Sequence, residues 1–450
     1  MPSVKITIVG GGSAYMTSMF SSLARFARAG GLAGSEVALV DINAEAVELM
    51  GRWAQAVVAK HDLPLRFSWT TDPAEALDGS DFVLSTFRTA GLKHRYLDET
   101  IPLEFGELGN ETVGVGGVFM ALRCIPEAVK LSRLIQQRCP DAWLINYTNP
   151  AHMVTEASIR AGHARTVGLC DGVYGVKWLA CKLLGLPIAK APEIDAYVAG
   201  VNHCTWTLKL FHKGRDLYAG MDELIAAADL SAPASYEEIA DGPLNEIEVD
   251  ACRLYRIYGI LPGSIYYARY YYNLRKLMGH LTESDHQHRS QWLIERGAGK
   301  RDRIRRQLES GEVSFAAYDE EDASHGDQAI GAIHAIANDT RELETANVTN
   351  HGAVPELPDD ATVEVGCILG AHGALPVAAG CMPPGVVGMV RDAHDFGRLT
   401  VQAATTGDRR LVLQAMLAHP AHRDLDIAEQ VVERMVEAHK DYLPQFFTEA

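Results

Sequence analysis

The stretch "VKITIVGGGSAY" at residues 4–15 constrains the fold more than any other. A β-branched run enters a glycine triplet, and helical spacing of apolar residues follows in "AYMTSMFSSLARFARAG" until Gly-Gly ends it. That order reads as a buried parallel strand, a tight turn and a helix. "SEVALVDIN" is a second strand and "AEAVELMGRWAQAVVAKH" a second helix. "DFVLSTF", "AWLINYTNP", "ARTVGLCD" and "EIDAYVAGVNH" read as the third to sixth strands. Alternation of strand and helix predicts an α/β chain with a Rossmann-type, doubly wound parallel sheet over residues 1–200. Beyond residue 205 helical segments dominate, including "EEIADGPLNEIEVDACRLYRIYG" and "HGDQAIGAIHAIAND", with strands such as "TVEVGCIL" between them. A mixed α+β domain for substrate binding and oligomerisation is therefore expected over 201–450. The charged segment 281–312 reads as a solvated helical excursion or a mobile loop.

Composition excludes several classes. The chain has 450 residues, 47% hydrophobic and 22% charged, enough to bury a large core. A formal net charge of −17 argues against nucleic acid and anionic membranes as partners. No apolar run approaches the roughly 18 to 20 residues of a transmembrane helix. The N-terminus lacks a charged leader region and a small-residue cleavage site. Eight Cys stand singly, with no CxxC pair, so neither a disulfide framework nor structural zinc is expected. A reducing cytoplasm is the expected home.

The chemistry-bearing residues cluster at strand ends. Gly10 and Gly12 let a backbone approach a pyrophosphate at a helix N-terminus, and Asp41 ends the second strand, where a carboxylate suits the ribose hydroxyl of NAD. A bare strand-to-helix turn is the alternative, because Tyr15 stands where the usual fingerprint has its third Gly. The acidic, Gly-rich segment 95–117 follows the third strand; Arg88, Arg95, Asn110 and Glu111 face a ligand there, or the segment is a solvated loop. Asn149 precedes Pro150 at another strand end and is suited to sugar hydroxyls, or simply forms a turn. Cys170 and His203 are two metal-ligand types at two strand ends, too few for a closed site but suited to an open one. The alternative for each is a buried structural side chain. "YYARYYY" at 266–272 reads as core or interface packing, with Arg269 able to hold a tyrosinate or an anion.

Taken together, "GGGSAY", "GNETVGVGG", "NYTNPAHMVTEA", "GLCD", "AGVNH", "YYARYYY" and "NHGAVPELPDDATVEV" resemble glycoside hydrolase family 4, in order from about residue 5 to 385. That family shares the lactate and malate dehydrogenase fold. The resemblance implies an NAD+-dependent glycosidase that oxidises carbon 3 of the sugar, removes the carbon 2 proton, eliminates the aglycone, adds water and restores the hydride. It implies a divalent metal, usually manganese, on Cys170 and His203. It implies Asp171 as general acid and Tyr267 as base, with neighbouring Tyr266 the alternative. Gly10, Gly12, Ser13 and Asp41 match the cofactor site, and Asn149 matches a contact to both cofactor and substrate hydroxyls.

Asp171 is similar to the α-phosphoglucosidase branch, while "CDGVYGV" and "AGVNHCTW" look more like α-glucosidases or α-galacturonidases; NAD-dependent sulfoquinovosidases lie near as well. Arg88, His94, Arg95 and Arg269 suit an anionic group at carbon 6 of an α-glycoside. The alternative class is an NAD-dependent hydroxy-acid or sugar dehydrogenase. A homodimer or homotetramer is expected, with a small-molecule glycoside as partner.

Overall fold

The computed structural model describes residues 3–231, 233, 241–283, 285–315, 323–421 and 424–447. Its strands are β1 (Lys5–Val9), β2 (Ser35–Val40), β3 (Leu65–Thr70), β4 (Phe82–Ser85), β5 (Trp143–Asn146), β6 (Thr166–Gly168), β7 (Ile194–Val201), β8 (Cys204–His212), β9 (Arg215–Asp216), β10 (Leu261–Pro262), β11 (Glu342–Thr349), β12 (Thr362–Gly370) and β13 (Gly373–Pro376). One nine-stranded sheet runs β13-β12-β11-β6-β5-β4-β1-β2-β3. Its β1 to β6 portion is parallel, and the order reverses at β1 between β2 and β4. This is the doubly wound arrangement expected, with its crevice at the carboxyl ends of β1 and β4.

Three features differ from the sequence reading. "DFVLSTF" is the fourth strand in order, because β3 precedes it. β3 is an edge strand whose Arg66 and Ser68 are exposed while Leu65 and Phe67 are buried, so it lacks the continuous apolar signature of a central parallel strand. Second, β7 is not a sixth parallel strand. It pairs antiparallel with β8 through Val201 and Cys204 in a separate small sheet that also contains β9 and β10. Third, β11 to β13 return from the C-terminal half and complete the first sheet by antiparallel pairing. Strands from both sides of residue 200 thus share one hydrophobic core, in which Val37 and Ile145 join Val201, Trp206 and Val365.

Local chemistry accounts for the helices. Asn43 caps Ala44–His61 by accepting from the Ala46 N–H, and Asn245 with Glu248 forms a capping box on Glu246–Tyr258. The helical segment expected from residue 237 has its residues 237–240 outside the described residues. The segment 95–117 is not a solvated loop: it contains the end of the helix Gly91–Thr100 and the start of Gly114–Arg138, and buries Arg95, Asp98, Glu99 and Glu111. Within 281–312 the helix Arg289–Ser310 is docked, with Gln307 accepting from the Trp53 indole at 2.7 Å. The aromatic run forms the helix Ile265–Tyr272 and turns inward, Tyr271 onto His419 and Tyr272 onto Trp206. Among the described residues, no helix is long and apolar enough to cross a membrane.

His152, on the helix Ala151–Arg160, occupies space left by Gly397: a Cβ there would stand 2.4 Å from its Nε2. Neither ring nitrogen has a hydrogen-bond partner among the described residues. Burial, and then His394, lowers its pKa from 6.5 to about 3. The unfolded chain therefore binds the extra proton first as pH falls, and the stability tied to a neutral His152 is lost from pH 6.5 downward. The slope for one such group is about 1.4 kcal/mol per pH unit. His152→Leu should flatten the decline of the unfolding free energy between pH 6.5 and about 5 by roughly that amount, as read by calorimetry. An unchanged slope would assign the acid sensitivity elsewhere.

Candidate active site

At the switch point β1 ends in Gly10, whose φ is +98° and whose missing Cβ would stand 2.6 Å from the Thr86 carbonyl oxygen. The Gly10 and Gly11 N–H groups donate to the Val40 carbonyl, which fixes the turn against β2. Asp41 then receives the Gly12 N–H on one oxygen and the Asn43 N–H on the other, each at 3.0 Å. Ser13 leads into the helix Met16–Arg28, whose N-terminus has no side-chain cap. Its first N–H groups and dipole therefore offer an anion site beside the Asp41 carboxylate, a geometry that fits a dinucleotide. Tyr15, in the place of the third Gly, packs against the main core.

Cys170 leaves the end of β6 in extended conformation, and His203 sits in the β7–β8 turn at φ +67°. The two sheets bring Cys170 Sγ and His203 Nε2 to 3.2 Å. Thr112 Oγ1 lies 3.0 Å from Asn110 Oδ1, to which it donates, and 2.8 Å from His203 Nδ1. Its hydroxyl proton is thus engaged, so its lone pair accepts Nδ1–H and leaves Nε2 bare toward the sulfur. Burial lowers the His203 pKa to about 3, so the ring is neutral. Burial, with Glu364 and Asp171, holds Cys170 as a thiol well above its ordinary range. A soft and a borderline donor, buried and convergent, suit a divalent ion of the manganese-to-zinc series. Among the described residues no third His, Cys, Asp or Glu completes a cluster, which leaves coordination positions open.

Tyr267 and Asp171 adjoin this pair. The Tyr267 ring stacks on His203 with centroids 3.4 Å apart and planes 9° apart. Burial first, then Cys170 and Glu111, raises its phenol well above the usual range. Tyr266 instead faces Trp178 in the second core, away from the pair. The Asp171 carboxyl is close enough to act electrostatically on Cys170, His203, Tyr267 and Glu364. Asn149 lies in the loop after β5, which Asn146 secures by donating to the Thr148 and Ala151 carbonyls.

The arginines are arranged differently from a row of open anion binders. Arg88 and Arg95 both bind Glu111 Oε2, at 2.5 and 2.7 Å, and Arg95 also binds Glu99 at 2.7 Å. Burial alone would raise the Glu111 pKa, but Arg88 and Arg95 outweigh it and hold it to about 2. Arg95 is thus enclosed by two carboxylates, while Arg88 keeps part of its side chain exposed. His94 faces His439 and Tyr442. Arg269 stands over the Tyr270 ring, at 5.1 Å. Residues absent from the sequence reading also contribute: Thr112, Asn146, Glu99 and Glu364. Glu364 is 1% exposed, and burial raises its pKa to about 7 against hydrogen bonds from Asn202 and Asn347.

Thr112→Val would remove the acceptor of the His203 Nδ1–H and leave that donor buried. A loss of about 1–3 kcal/mol in denaturant unfolding is expected. Nitrogen NMR of labelled histidine should show His203 leaving a single tautomer; a retained single tautomer would contradict the orienting role.

Comparison with known proteins accords with this geometry. Residues 5–186 match the family 4 glycosyl hydrolase model, and residues 198–422 match the model of the family's C-terminal domain. A probable 6-phospho-beta-glucosidase of Bacillus subtilis is 32% identical, over 99% of this chain and 98% of its own. A 6-phospho-alpha-glucosidase of Lacticaseibacillus paracasei is 28% identical over 98% of both chains. The crystal structure of a 6-phospho-alpha-glucosidase from gut microorganisms, in complex with NAD and Mn2+, superposes with a TM-score of 0.87. It is 27% identical and covers 99% of this chain and 100% of its own. With both halves matched in order, the chain belongs to family 4 of the glycosyl hydrolases.

Proposed function

We propose that the protein is an NAD+- and Mn2+-dependent glycosidase acting on glucosides phosphorylated at carbon 6, with the α-anomer as its substrate. The observation that carries the reading is the convergent Cys170–His203 pair with Tyr267 stacked on it, beside the dinucleotide crevice. The relatives named above act on 6-phosphoglucosides of both anomers, and the matched structure holds NAD and Mn2+. Asp171 favours the α-anomer, because it matches the general acid of the α-phosphoglucosidase branch that the motif resembles.

Gly10, Gly12, Ser13 and Asp41 hold the dinucleotide, with Asn149 between it and the sugar hydroxyls; Cys170 and His203 hold the metal. When bound, NAD+ takes up and returns a hydride at carbon 3, and Mn2+ polarises the oxygens of carbons 2 and 3 as a Lewis acid. Tyr267 removes the carbon 2 proton, which the neighbouring carbonyl has made acidic. Asp171 gives a proton to the leaving oxygen at carbon 1. Arg95, close enough to Tyr267 to interact electrostatically, favours the phenolate that burial opposes. Arg88, the more exposed of the Glu111 partners, meets the carbon 6 phosphate, and Glu111 sets its direction; Arg269 is the second cation assigned to that group.

Release of p-nitrophenol from the 6-phospho-α-glucoside should require NAD+ and Mn2+, stop with chelator, and leave no net NADH. Neutral glucosides should show kcat/KM at least about 10-fold lower, the loss of one charge-assisted contact. Equal rates on neutral sugars would overturn the phosphate assignment, and steady NADH accumulation would overturn the cyclic role of the cofactor. Tyr267→Phe should lower kcat by about 10²–10⁴ and abolish solvent deuterium incorporation at carbon 2. Retained exchange would remove Tyr267 from the base role.

A further inference from the structure

We infer that Glu364 is a positioning residue for the metal-binding pair, setting the separation of Cys170 and His203 by tying the β7–β8 turn to β12. The inference rests on the reading of Cys170 and His203 as ligands given above.

The need for such a tie follows from topology. Cys170 is carried by β6 of the large sheet, and His203 by the β7–β8 turn of the small one. Among the described residues no strand ladder joins the two sheets, so backbone pairing does not set the distance between the two donors. Glu364 projects from β12 of the large sheet and reaches across. Its Oε1 accepts from Asn202 Nδ2 at 2.8 Å, and the His203 main-chain N–H lies against the same carboxylate. On the near side, Oε1 also accepts from Asn347 Nδ2 at 3.2 Å. Asn347 is the register partner of both Gly168 on β6 and Glu364 on β12. The path from the Cys170 strand to the His203 turn is therefore β6, Asn347, Glu364, Asn202.

Each link leaves little slack. A Cβ on Gly168 would stand 2.9 Å from Asn347 Cβ, so the strands meet as closely as glycine allows there. His203 holds a left-handed φ of +67°, a strained choice for a non-glycine residue that persists only where surrounding bonds over-determine it. The Asn202–Glu364 hydrogen bond, on the residue before His203, is one that does so.

Burial points the same way. Glu364 is 1% exposed, and among the described residues no Lys or Arg forms an ion pair with it. Its Oε2 has no hydrogen-bond partner there. A buried carboxyl that keeps the Asn202 and Asn347 donors is costly to pull away from them, so the turn and β12 are held in one arrangement.

The test is a titration of the native chain, Glu364→Gln and Glu364→Ala with Mn2+, read by the electron paramagnetic resonance of free Mn2+. A parallel calorimetric titration with NAD+ reports the state of the large sheet. The Mn2+ Kd is expected to rise about 10–100-fold in Glu364→Ala and less in Glu364→Gln, with NAD+ Kd within about twofold of native. Raised Mn2+ should restore turnover of Glu364→Gln. An unchanged Mn2+ Kd in either variant overturns the inference, as does a joint loss of Mn2+ and NAD+ affinity, which marks a general loss of structure. Absence of Mn2+ binding by the native chain would instead overturn the metal reading on which the inference stands.

Discussion

His203 stands 3.2 Å from Cys170 because two sheets without a shared ladder are held together by apolar packing. Ala199, Val201, Cys204 and Trp206 of the small sheet lie in the same core as Val363, Val365, Met382 and Val386. Apolar burial is non-directional: it holds layers together but does not specify where a sulfur and a nitrogen meet. Direction comes from the polar contacts at the seam, Thr112 on one side of the imidazole and the Glu364 carboxylate on the turn behind it. Such contacts are expensive to leave half made, so a small displacement of either sheet is resisted by several buried groups at once.

The same logic governs the other wall of the crevice. Arg88, Arg95, Glu99 and Glu111 place two cations against two carboxylates, so the group is close to neutral as a unit. Glu99 also accepts the Ser290 N–H and hydroxyl at 2.9 and 2.6 Å, at the start of the helix Arg289–Ser310. A carboxylate at a helix N-terminus is favoured by the dipole. Desolvation makes a buried ion network a weak source of net stability, while loss of one member leaves an uncompensated charge. Its role is therefore directional. The highly charged helix that resembled a solvated excursion anchors Glu99, and through it Arg95.

The parallel sheet was legible because β-branched runs ending at Gly, Asn or Asp have one common explanation, and strand ends carry Gly10, Asp41, Asn149 and Cys170 into the crevice. The partner of a strand is not written in its own residues. "EIDAYVAGVNH" has the apolar run of a buried parallel strand, yet its partner is antiparallel β8, and the apolar run reflects burial between two sheets. Edge strand β3 lacks a continuous apolar run, because Arg66 and Ser68 face water between Leu65 and Phe67. Residues that carry donors were readable from their type; those that orient them were not. Thr112 lies in a Gly-rich turn and Glu364 in an ordinary strand, and each gains its role only from a partner 91 or 162 residues away.

Stacking of Tyr267 on His203 joins the metal-binding and proton-transfer parts of the site. With rings 3.4 Å apart, one cannot tilt without the other, so the device that aims the imidazole also aims the phenol. Burial keeps that phenol protonated in the ligand-free chain, and Cys170, Glu111 and Asp171 act in the same direction. Positive charge beside His203 opposes all of them. On the proposed reading, Tyr267 becomes a competent base only once the cation and sugar are in place, and an empty site holds an inert phenol. That order protects against stray proton abstraction, and it follows from placing the base inside the field of the ligands.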